Sequence, residues 1–415
     1  MIASVGRRLA AEVFESQAEP GAGSWRGAVG TALIAAVLLV WRGHVRLRDG
    51  FLWAEDALVF MKGAIEVGAP ALLDLWGGYV VLVPRLLAWA LAETTPVALA
   101  PYAYVWATFV LTVGCTAVTY GALRRTVCAD RPATAAAMSV LPLAIPHSGE
   151  VYLTITNFQW VVAPTLVALC LDAFWWGRMP RSILPVLFVL ALTGPFAVLL
   201  LPLGLLGVAL RRSLTLAGLV WCVAVAIQVV AMRASDVPSP TWVDTHWIEL
   251  FWADFLLGAF LPMHAAHPLS RSEWLAAFAV GGGILAAVAF TRDRAVGGLL
   301  LGFAGAVWVL GVMRVHQTGF CLRHLGDGAR YLFVPTVCVG WALLLACGRG
   351  RPRWAATTAA ALLALLGLST LQAPRMLAYE PWTVRETESG RHLLEVAPAG
   401  FETVIVEPTV GRGAQ

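Results

Sequence analysis

Charged side chains are scarce in this chain. Lys, Arg, Asp and Glu make up 13% of its 415 residues and hydrophobic residues make up 59%, against about 25% and about 45–50% in soluble domains. This scarcity excludes an ordinary soluble enzyme. The mean hydropathy of +0.75 applies to the whole chain, and one membrane anchor could not raise the average so far. The composition therefore predicts an all-α polytopic membrane protein.

The chain has one lysine, and its cysteines do not occur in closely spaced pairs. Lys62 is the only lysine, so the formal net charge of +4 depends on arginine, and no basic run suggests a nucleic-acid partner. The seven cysteines occur singly, mostly inside apolar stretches, and none has the spacing of a metal site. We interpret them as small hydrophobic side chains of the core.

Eleven apolar stretches divide residues 27–371 and predict about eleven transmembrane helices. They lie at 27–41, 97–123, 133–146, 158–176, 182–193, 195–210, 214–232, 274–290, 296–313, 331–347 and 354–371. Several are shorter than the ~20 residues that a spanning helix needs. Between Arg181 and Arg211, the sequence Thr193-Gly194-Pro195 would break a helix, so we predict a hairpin of two short helices there.

Arginine-rich turns set the predicted orientation. Five short turns carry arginines: Arg124, Arg125 and Arg131; Arg178 and Arg181; Arg211 and Arg212; Arg292 and Arg294; Arg349, Arg351 and Arg353. Because cytoplasmic loops are enriched in Arg and Lys, we place these turns and the N-terminal tail 1–26 in the cytoplasm. The extracytoplasmic side then receives four loops and a C-terminal tail: 42–96, 144–157, 233–273, 314–330 and 372–415.

Two features do not fit this pattern simply. Arg42, Arg46 and Arg48 lie on the predicted outer side, where arginine is less common. The apolar segment 79–92 would, as a twelfth crossing, move the Arg124 turn outside. We therefore predict that it lies in the outer interface, with Arg85 reaching the lipid headgroups; a twelfth crossing is the alternative.

The C-terminal tail 372–415 changes in composition. Its segments 381–386 and 401–408 alternate apolar and polar residues with a period of two, which predicts β-strands. A strand-rich appendage of this size cannot bury its own core, so we expect it to lean on the membrane domain.

The first outer loop contains adjacent carboxylates, Glu55 and Asp56, between aromatic residues. A carboxylate in a half-dry, water-accessible setting near a bilayer can serve as a general base. The alternative is that both residues cap the helix that begins at Ala57, since acidic side chains favour a helix N-terminus.

The second outer loop is rich in hydrogen-bonding side chains and lacks Arg and Lys. Its candidate substrate-binding residues are His147, Glu150, Asn157, Gln159 and Trp160. Neutral polar groups beside an aromatic ring suit a sugar. Stabilised helix ends and an interfacial tryptophan are the alternative.

The fourth outer loop concentrates basic side chains before the next apolar stretch. Its candidate residues are Arg314, His316, Arg323, His324, Arg330 and Tyr331. Such cations at headgroup depth suit a phosphate or pyrophosphate, and lipid anchoring is the alternative. The acidic and histidine residues of the third loop match no metal motif, so we predict no metal site from spacing.

Four segments together resemble bacterial GT-C-type glycosyltransferases, polytopic enzymes that use polyprenyl-phosphate-linked sugars outside the membrane. They are Glu55-Asp56, Thr156-Asn157-Phe158-Gln159-Trp160, Gly194-Pro195-Phe196 and Ala329-Arg330-Tyr331. The resemblance implies that Asp56 or Glu55 is the catalytic base, in some members assisted by a divalent cation (Mg²⁺ or Mn²⁺), and that Arg330 and nearby basic residues hold the donor phosphate. It also implies that the tail helps to bind the acceptor.

The reaction implied is inverting transfer of a hexose or pentose to a glycan, glycolipid or protein acceptor of the cell envelope, at the inner (plasma) membrane among its lipids. Inversion needs one base, whereas a hydrolase needs two carboxylates on opposite sides of the bond. Glu55 and Asp56, being adjacent, cannot easily straddle a bond. A transporter or flippase of a lipid-linked saccharide and a non-catalytic scaffold are the alternatives; related halves or ionisable residues at mid-membrane would favour transport.

Overall fold

A computed structural model describes most of the membrane region and parts of the C-terminal tail. The described residues are 24–147, 149–237, 247, 250–261, 270–318, 328–349, 353–372, 383–386, 392–396 and 401–405. The predicted tail 1–26, apart from its last three residues, lies outside them. Much of the third and fourth outer loops also lies outside.

The described residues form fifteen α-helices. They are α1 Ser24–Asp49, α2 Lys62–Glu66, α3 Leu82–Thr94, α4 Ala100–Arg125, α5 Pro132–Val140, α6 Phe158–Cys170, α7 Leu184–Ala191, α8 Phe196–Leu199, α9 Leu201–Arg211, α10 Leu216–Ala234, α11 Gly258–Phe260, α12 Arg271–Ala289, α13 Arg294–Thr318, α14 Arg330–Arg349 and α15 Arg353–Gln372. Short π-helical segments occupy Asp56–Met61, Leu171–Trp176 and Leu250–Leu257. Short 3-10 turns occupy Ala69–Leu73, Val97–Leu99, Leu141–Leu143 and Arg181–Ile183.

Eight helical segments within the described residues are long and apolar enough to cross a bilayer. They are Trp25–Asp49, Val97–Arg125, Phe158–Trp176, Leu216–Ala234, Arg271–Ala289, Arg294–Arg314, Arg330–Gly348 and Arg353–Leu371. The other three predicted crossings correspond to shorter apolar helices: Pro132–Leu143, Arg181–Ala191 and Leu201–Arg211. This helical, apolar architecture is compatible with an all-α membrane protein, while the count of eleven crossings stays a prediction.

Contacts between the arginine turns gather them at one end of the helix bundle, which we call the turn end (residues 124–131, 172–181, 211–215, 290–294 and 347–354). The joining contacts are Arg125 Nε to Asp172 Oδ2 at 2.7 Å, Arg131 Nη2 to Asp293 Oδ2 at 2.9 Å, and the packing of Arg211 on Gly177 and of Arg131 on Gly348. Gly177 has φ 64°, and a Cβ there would overlap the guanidinium of Arg211. Turns that are far apart in sequence therefore share one face.

The other end, which we call the loop end, contains residues 49–81, 143–158, 193–195 and 328–331. Here two buried arginines of α1 bind backbone carbonyls of the second loop. Arg42 Nη1 donates to the carbonyls of Leu143 and Ile145 at 3.0 and 2.9 Å. Arg46 Nη1 likewise donates to the carbonyls of Gly149 and Tyr152 at 2.9 and 2.7 Å. These arginines occur on this side because they organise the loop.

The segment around α3 begins and ends at the loop end. The N–H of Leu82 donates to the carbonyl of Leu192 at 3.0 Å. Just after α3, the carbonyl of Pro101 in α4 accepts from the N–H of Phe51 at 3.3 Å.

The prediction that Arg85 reaches the headgroups is wrong. Its side chain is buried, with the guanidinium over the ring of Phe60 at 4.9 Å.

The chain breaks at Thr193-Gly194-Pro195, as predicted, between α7 and α8. Gln228 of α10 secures this tip to the first loop. Its Nε2 donates to the carbonyls of Val80 and Gly194, both at 3.0 Å, and its Oε1 accepts from the N–H of Val80 at 2.9 Å. A buried amide thus satisfies three backbone groups between separate segments.

Three short strands of the C-terminal tail form an antiparallel sheet in the order β1 Thr383–Glu386, β2 His392–Val396 and β3 Phe401–Ile405. Strand β3 contacts α2 and the preceding π-helical segment, and Val396 is buried in the main core. The sheet therefore packs on the first loop at the loop end. Its position outside the membrane stays a prediction.

Candidate active site

Asp56 is fully buried and links the first loop to the second. Its Oδ1 accepts from the backbone N–H and the hydroxyl of Thr156 at 2.8 and 2.5 Å, and its Oδ2 accepts from the N–H of Trp53 at 3.1 Å. Burial raises the pKa of Asp56 to about 6, although these hydrogen bonds oppose the shift. Because no face of this carboxyl is open, its raised pKa does not make it an accessible base.

Glu55 has a different environment, although it is the adjacent residue. Its side chain is partly exposed, and its Oε2 is shielded from solvent without a hydrogen-bond partner in the part of the chain that the structure describes. It interacts electrostatically with Arg330, the first residue of α14. Of the two predicted carboxylates, Glu55 retains an uncommitted acceptor oxygen. Glu55 makes no side-chain capping bond to the helical segment that follows.

Glu150 holds Arg330 in place. Its Oε1 accepts from the backbone N–H of Arg330 at 2.5 Å, and its Oε2 lies 3.6 Å from Nη1 of the same residue. The Glu150 side chain is buried, whereas that of Arg330 is partly exposed. The prediction that Glu150 binds substrate directly is therefore corrected: its carboxylate caps α14 and pairs with the arginine.

Tyr79, which the sequence did not single out, lies beside the predicted residues Gln159 and Arg330. The tight turn Trp76-Gly77-Gly78-Tyr79, with positive φ at both glycines, brings it to the loop end. Its hydroxyl accepts from Nε2 of Gln159 at 3.0 Å. Burial raises the pKa of Tyr79, so its hydroxyl stays protonated at neutral pH.

Basic and aromatic side chains surround this hydroxyl. Tyr79 lies within electrostatic range of Arg314, Arg330 and Tyr331. The ring of Trp160 packs edge-on against Tyr331 at 5.2 Å and against Phe196 at 5.0 Å between ring centroids. The structure therefore brings the predicted residues Glu55, Gln159, Trp160, Arg314, Arg330 and Tyr331 to one region.

Two predicted substrate-binding residues bond backbone groups within the second loop. His147 is fully buried, and its Nδ1 accepts from the N–H of Gly149 at 3.0 Å while its ring packs edge-on against Tyr152 and Phe333. Asn157 donates from Nδ2 to the carbonyl of Glu150 at 2.9 Å. Both shape the loop, because their polar atoms serve backbone groups inside it.

Three further predicted residues lie beyond what the structure describes. They are Arg323 and His324, together with the side chain of His316. Among the described residues, no group of three His, Cys, Asp or Glu side chains is placed to hold a metal ion. The divalent cation implied by the resemblance therefore has no such ligand set here.

Sequence reasoning missed the structural importance of Tyr79, Gln228, Arg42 and Arg46. A weak signal was present for Tyr79, since a Gly-Gly pair before it favours a tight hairpin turn. Arg42 and Arg46 lie in the polar last turns of α1, so their positions carry no such signal. Gln228 stands alone within an apolar helix, and a lone polar side chain there needs a buried partner. The identity of that partner depends on the fold.

No family model matches the chain, and no curated protein or solved structure shows significant similarity to it. The side chains that meet at the loop end are therefore the basis for inferring a function.

Proposed function

We propose that the protein is a membrane glycosyltransferase of the GT-C type, which moves a sugar from a polyprenyl-phosphate donor to a glycan, glycolipid or protein acceptor. One observation carries the proposal. A carboxylate with an uncommitted oxygen, Glu55, lies at the same end as Arg330 and within electrostatic range of it. A base and a phosphate ligand are the two groups that such a transfer needs.

The arrangement of the two ends supports an extracytoplasmic site. Eleven crossings, counting three of the four short apolar helices and leaving out Leu250–Phe260, put the five arginine turns on one side and the loops that carry Glu55 and Arg330 on the other. The contacts at the turn end agree with this alternation. Since arginine-rich turns face the cytoplasm, the loop end and the small sheet face outward from the inner membrane.

In the proposed reaction, Glu55 accepts the proton of the acceptor hydroxyl as its oxygen attacks the anomeric carbon of the sugar. The bond between that carbon and the phosphate oxygen breaks, and its electron pair stays on the phosphate. The products are the inverted glycoside, polyprenyl monophosphate and protonated Glu55, which returns its proton to water. Asp56 supports this step indirectly by fixing the backbone beside Glu55 to Thr156.

The phosphate is held by Arg330 and Arg314, with Tyr79 as a third donor. Gln159 donates to the Tyr79 oxygen, so the Tyr79 hydroxyl proton points away from Gln159 and is available to a phosphate oxygen. The aromatic group of Trp160 and Tyr331 offers apolar surface for the sugar ring. The reaction is written without a metal ion, because the described residues contain no group of three His, Cys, Asp or Glu side chains placed to hold one.

The test compares Glu55→Gln with Glu66→Gln, an exposed carboxylate in the same loop. We expect Glu55→Gln to lower transfer by about 10²–10⁴-fold, the usual contribution of a general base, without changing the melting temperature in detergent. Glu66→Gln should match the wild type. The measurement is mass analysis of lipid-linked sugars and envelope glycans in a matched deletion strain complemented with each variant.

Normal transfer by Glu55→Gln would contradict its role as base. If deletion changed no glycan or glycolipid, the transferase proposal itself would fail. Movement of an intact lipid-linked saccharide across vesicles, without a new glycosidic bond, would identify a flippase instead.

A further inference from the structure

We propose that Glu150 is a positioning residue that tunes the charge of Arg330, so that the phosphate product of the transfer can leave the site. This inference rests on the proposed function. It concerns how strongly the site prefers the product phosphate to the donor phosphate, and that preference can be measured without any transfer.

The geometry gives Glu150 two contacts with one residue. The contact of Oε1 with the Arg330 backbone N–H at 2.5 Å fixes the start of α14. The 3.6 Å approach of Oε2 to Nη1 places a negative charge beside the guanidinium. Because Glu150 is buried and Arg330 is partly exposed, the carboxylate is screened less by water than a surface charge would be.

Glu150 is itself held rigidly. Its backbone carbonyl accepts from the Asn157 amide at 2.9 Å and from the Thr154 hydroxyl at 3.0 Å. The second loop therefore presents the carboxylate at a constant distance from Arg330. A mobile carboxylate could move away from Arg330 when an anion binds. The Glu150 carboxylate stays in place and repels additional negative charge on the anion.

The phosphate group of the ligand becomes more negative during the reaction. The donor is a phosphodiester with one negative charge, whereas the product is a monoester with about 1.5 to 2 negative charges at pH 7. An arginine site without a counter-charge would bind the product more tightly than the donor and would be inhibited by it. The carboxylate of Glu150 repels the second charge and reduces this preference.

The experiment measures binding of two short probes to the full-length protein in detergent at pH 7.5: farnesyl monophosphate and its methyl ester, a phosphodiester. Glu150→Gln keeps an oxygen that can accept from the Arg330 N–H but removes the charge. We expect its preference for the monoester over the diester to exceed the wild-type preference by about fivefold, as expected for a partly screened charge pair. Glu150→Asp retains the charge and should keep a preference nearer to wild type.

Two controls separate charge from folding. Asp74→Asn removes an exposed carboxylate of the first loop and should leave the preference unchanged. At pH 5 the monoester loses its second charge, so the difference between Glu150→Gln and wild type should disappear. A merely structural role for Glu150 would weaken both probes equally and would not depend on the charge of the probe.

An unchanged preference in Glu150→Gln, with both probes still bound, would overturn the inference and leave the transferase proposal standing. Equal weakening of both probes would also overturn it. If the wild-type protein bound neither probe, the phosphate site would fail and the inference would fail with it.

Discussion

The two arginines of α1 at the loop end have different partners from the arginines that join the turns at the opposite end of the helix bundle. At the turn end, buried or half-buried arginines pair with carboxylates, as Arg125 does with Asp172 and Arg131 with Asp293. At the loop end, Arg42 and Arg46 donate hydrogen bonds to backbone carbonyls. Glu55 there has a carboxylate oxygen without a hydrogen-bond partner among the described residues. Paired charges satisfy each other inside the bundle, whereas a shielded carboxylate oxygen without a hydrogen-bond partner is a candidate for chemistry.

The largest effect on stability should come from breaking an ion pair of the turn end. Asp172→Ala leaves Arg125 in a mostly buried position without its carboxylate, which costs about 3–5 kcal/mol. We expect a strongly lowered melting temperature, while the folded fraction keeps wild-type transfer per molecule. Thermal unfolding in detergent with parallel activity measurement checks this.

An apolar double replacement, Arg125→Met with Asp172→Leu, serves as the control. It removes both charges and should recover most of the lost stability, because a buried ion pair is often replaceable by packed apolar groups. If Asp172→Ala alone abolished transfer in fully folded protein, the division between a structural end and a chemical end would be wrong.

A smaller loss of stability, about 2 kcal/mol, is expected when Arg46 is replaced by methionine. This variant keeps the aliphatic length but leaves the carbonyls of Gly149 and Tyr152 without their donor. Unlike the change at Asp172, it should also reduce transfer, since the second loop carries Glu150 and Gln159. Arg48→Met, which changes an exposed arginine two residues later, is the matched control and should affect neither property.

The smallest expected effect is the change of stability with pH that Asp56 causes, which distinguishes it from the adjacent Glu55. The folded pKa of Asp56, about 6, lies above its ordinary value of 3.8, so the folded state binds the proton more tightly than the unfolded state. Its contribution to stability is complete below about pH 3.8 and is lost as the pH rises through 6. Between pH 5 and pH 7 the loss should be about 1 kcal/mol.

Unfolding of the wild type and of Asp56→Asn across this pH range measures that loss as a difference. The asparagine variant should be less stable at pH 5, because its amide cannot accept from the Trp53 N–H as Oδ2 does. The deficit should shrink as the pH rises. A deficit independent of pH would show that Asp56 does not titrate in this window.

Patterns of residue type predicted some features well. The break at Thr193-Gly194-Pro195 followed from glycine and proline chemistry. Arg85 shows the opposite case: its position in an apolar segment predicted a guanidinium among headgroups, but the π-helical segment folds over it and Phe60 covers its face. A pattern records which residues are apolar but not which neighbour will cover them.

Residue patterns were enough to predict a helical, membrane-type chain with arginines in its short turns and with acidic, polar and basic side chains in separate loops. Four features follow from the fold alone: the enclosure of Asp56, the partial exposure of Glu55, the pairing of Glu150 with Arg330, and the position of Tyr79 beside them. The physical reason is that composition and periodicity act locally along the chain. Hydrogen-bond satisfaction in a buried site, in contrast, depends on groups a hundred residues or more apart, such as Asp56 and Thr156 or Glu150 and Arg330.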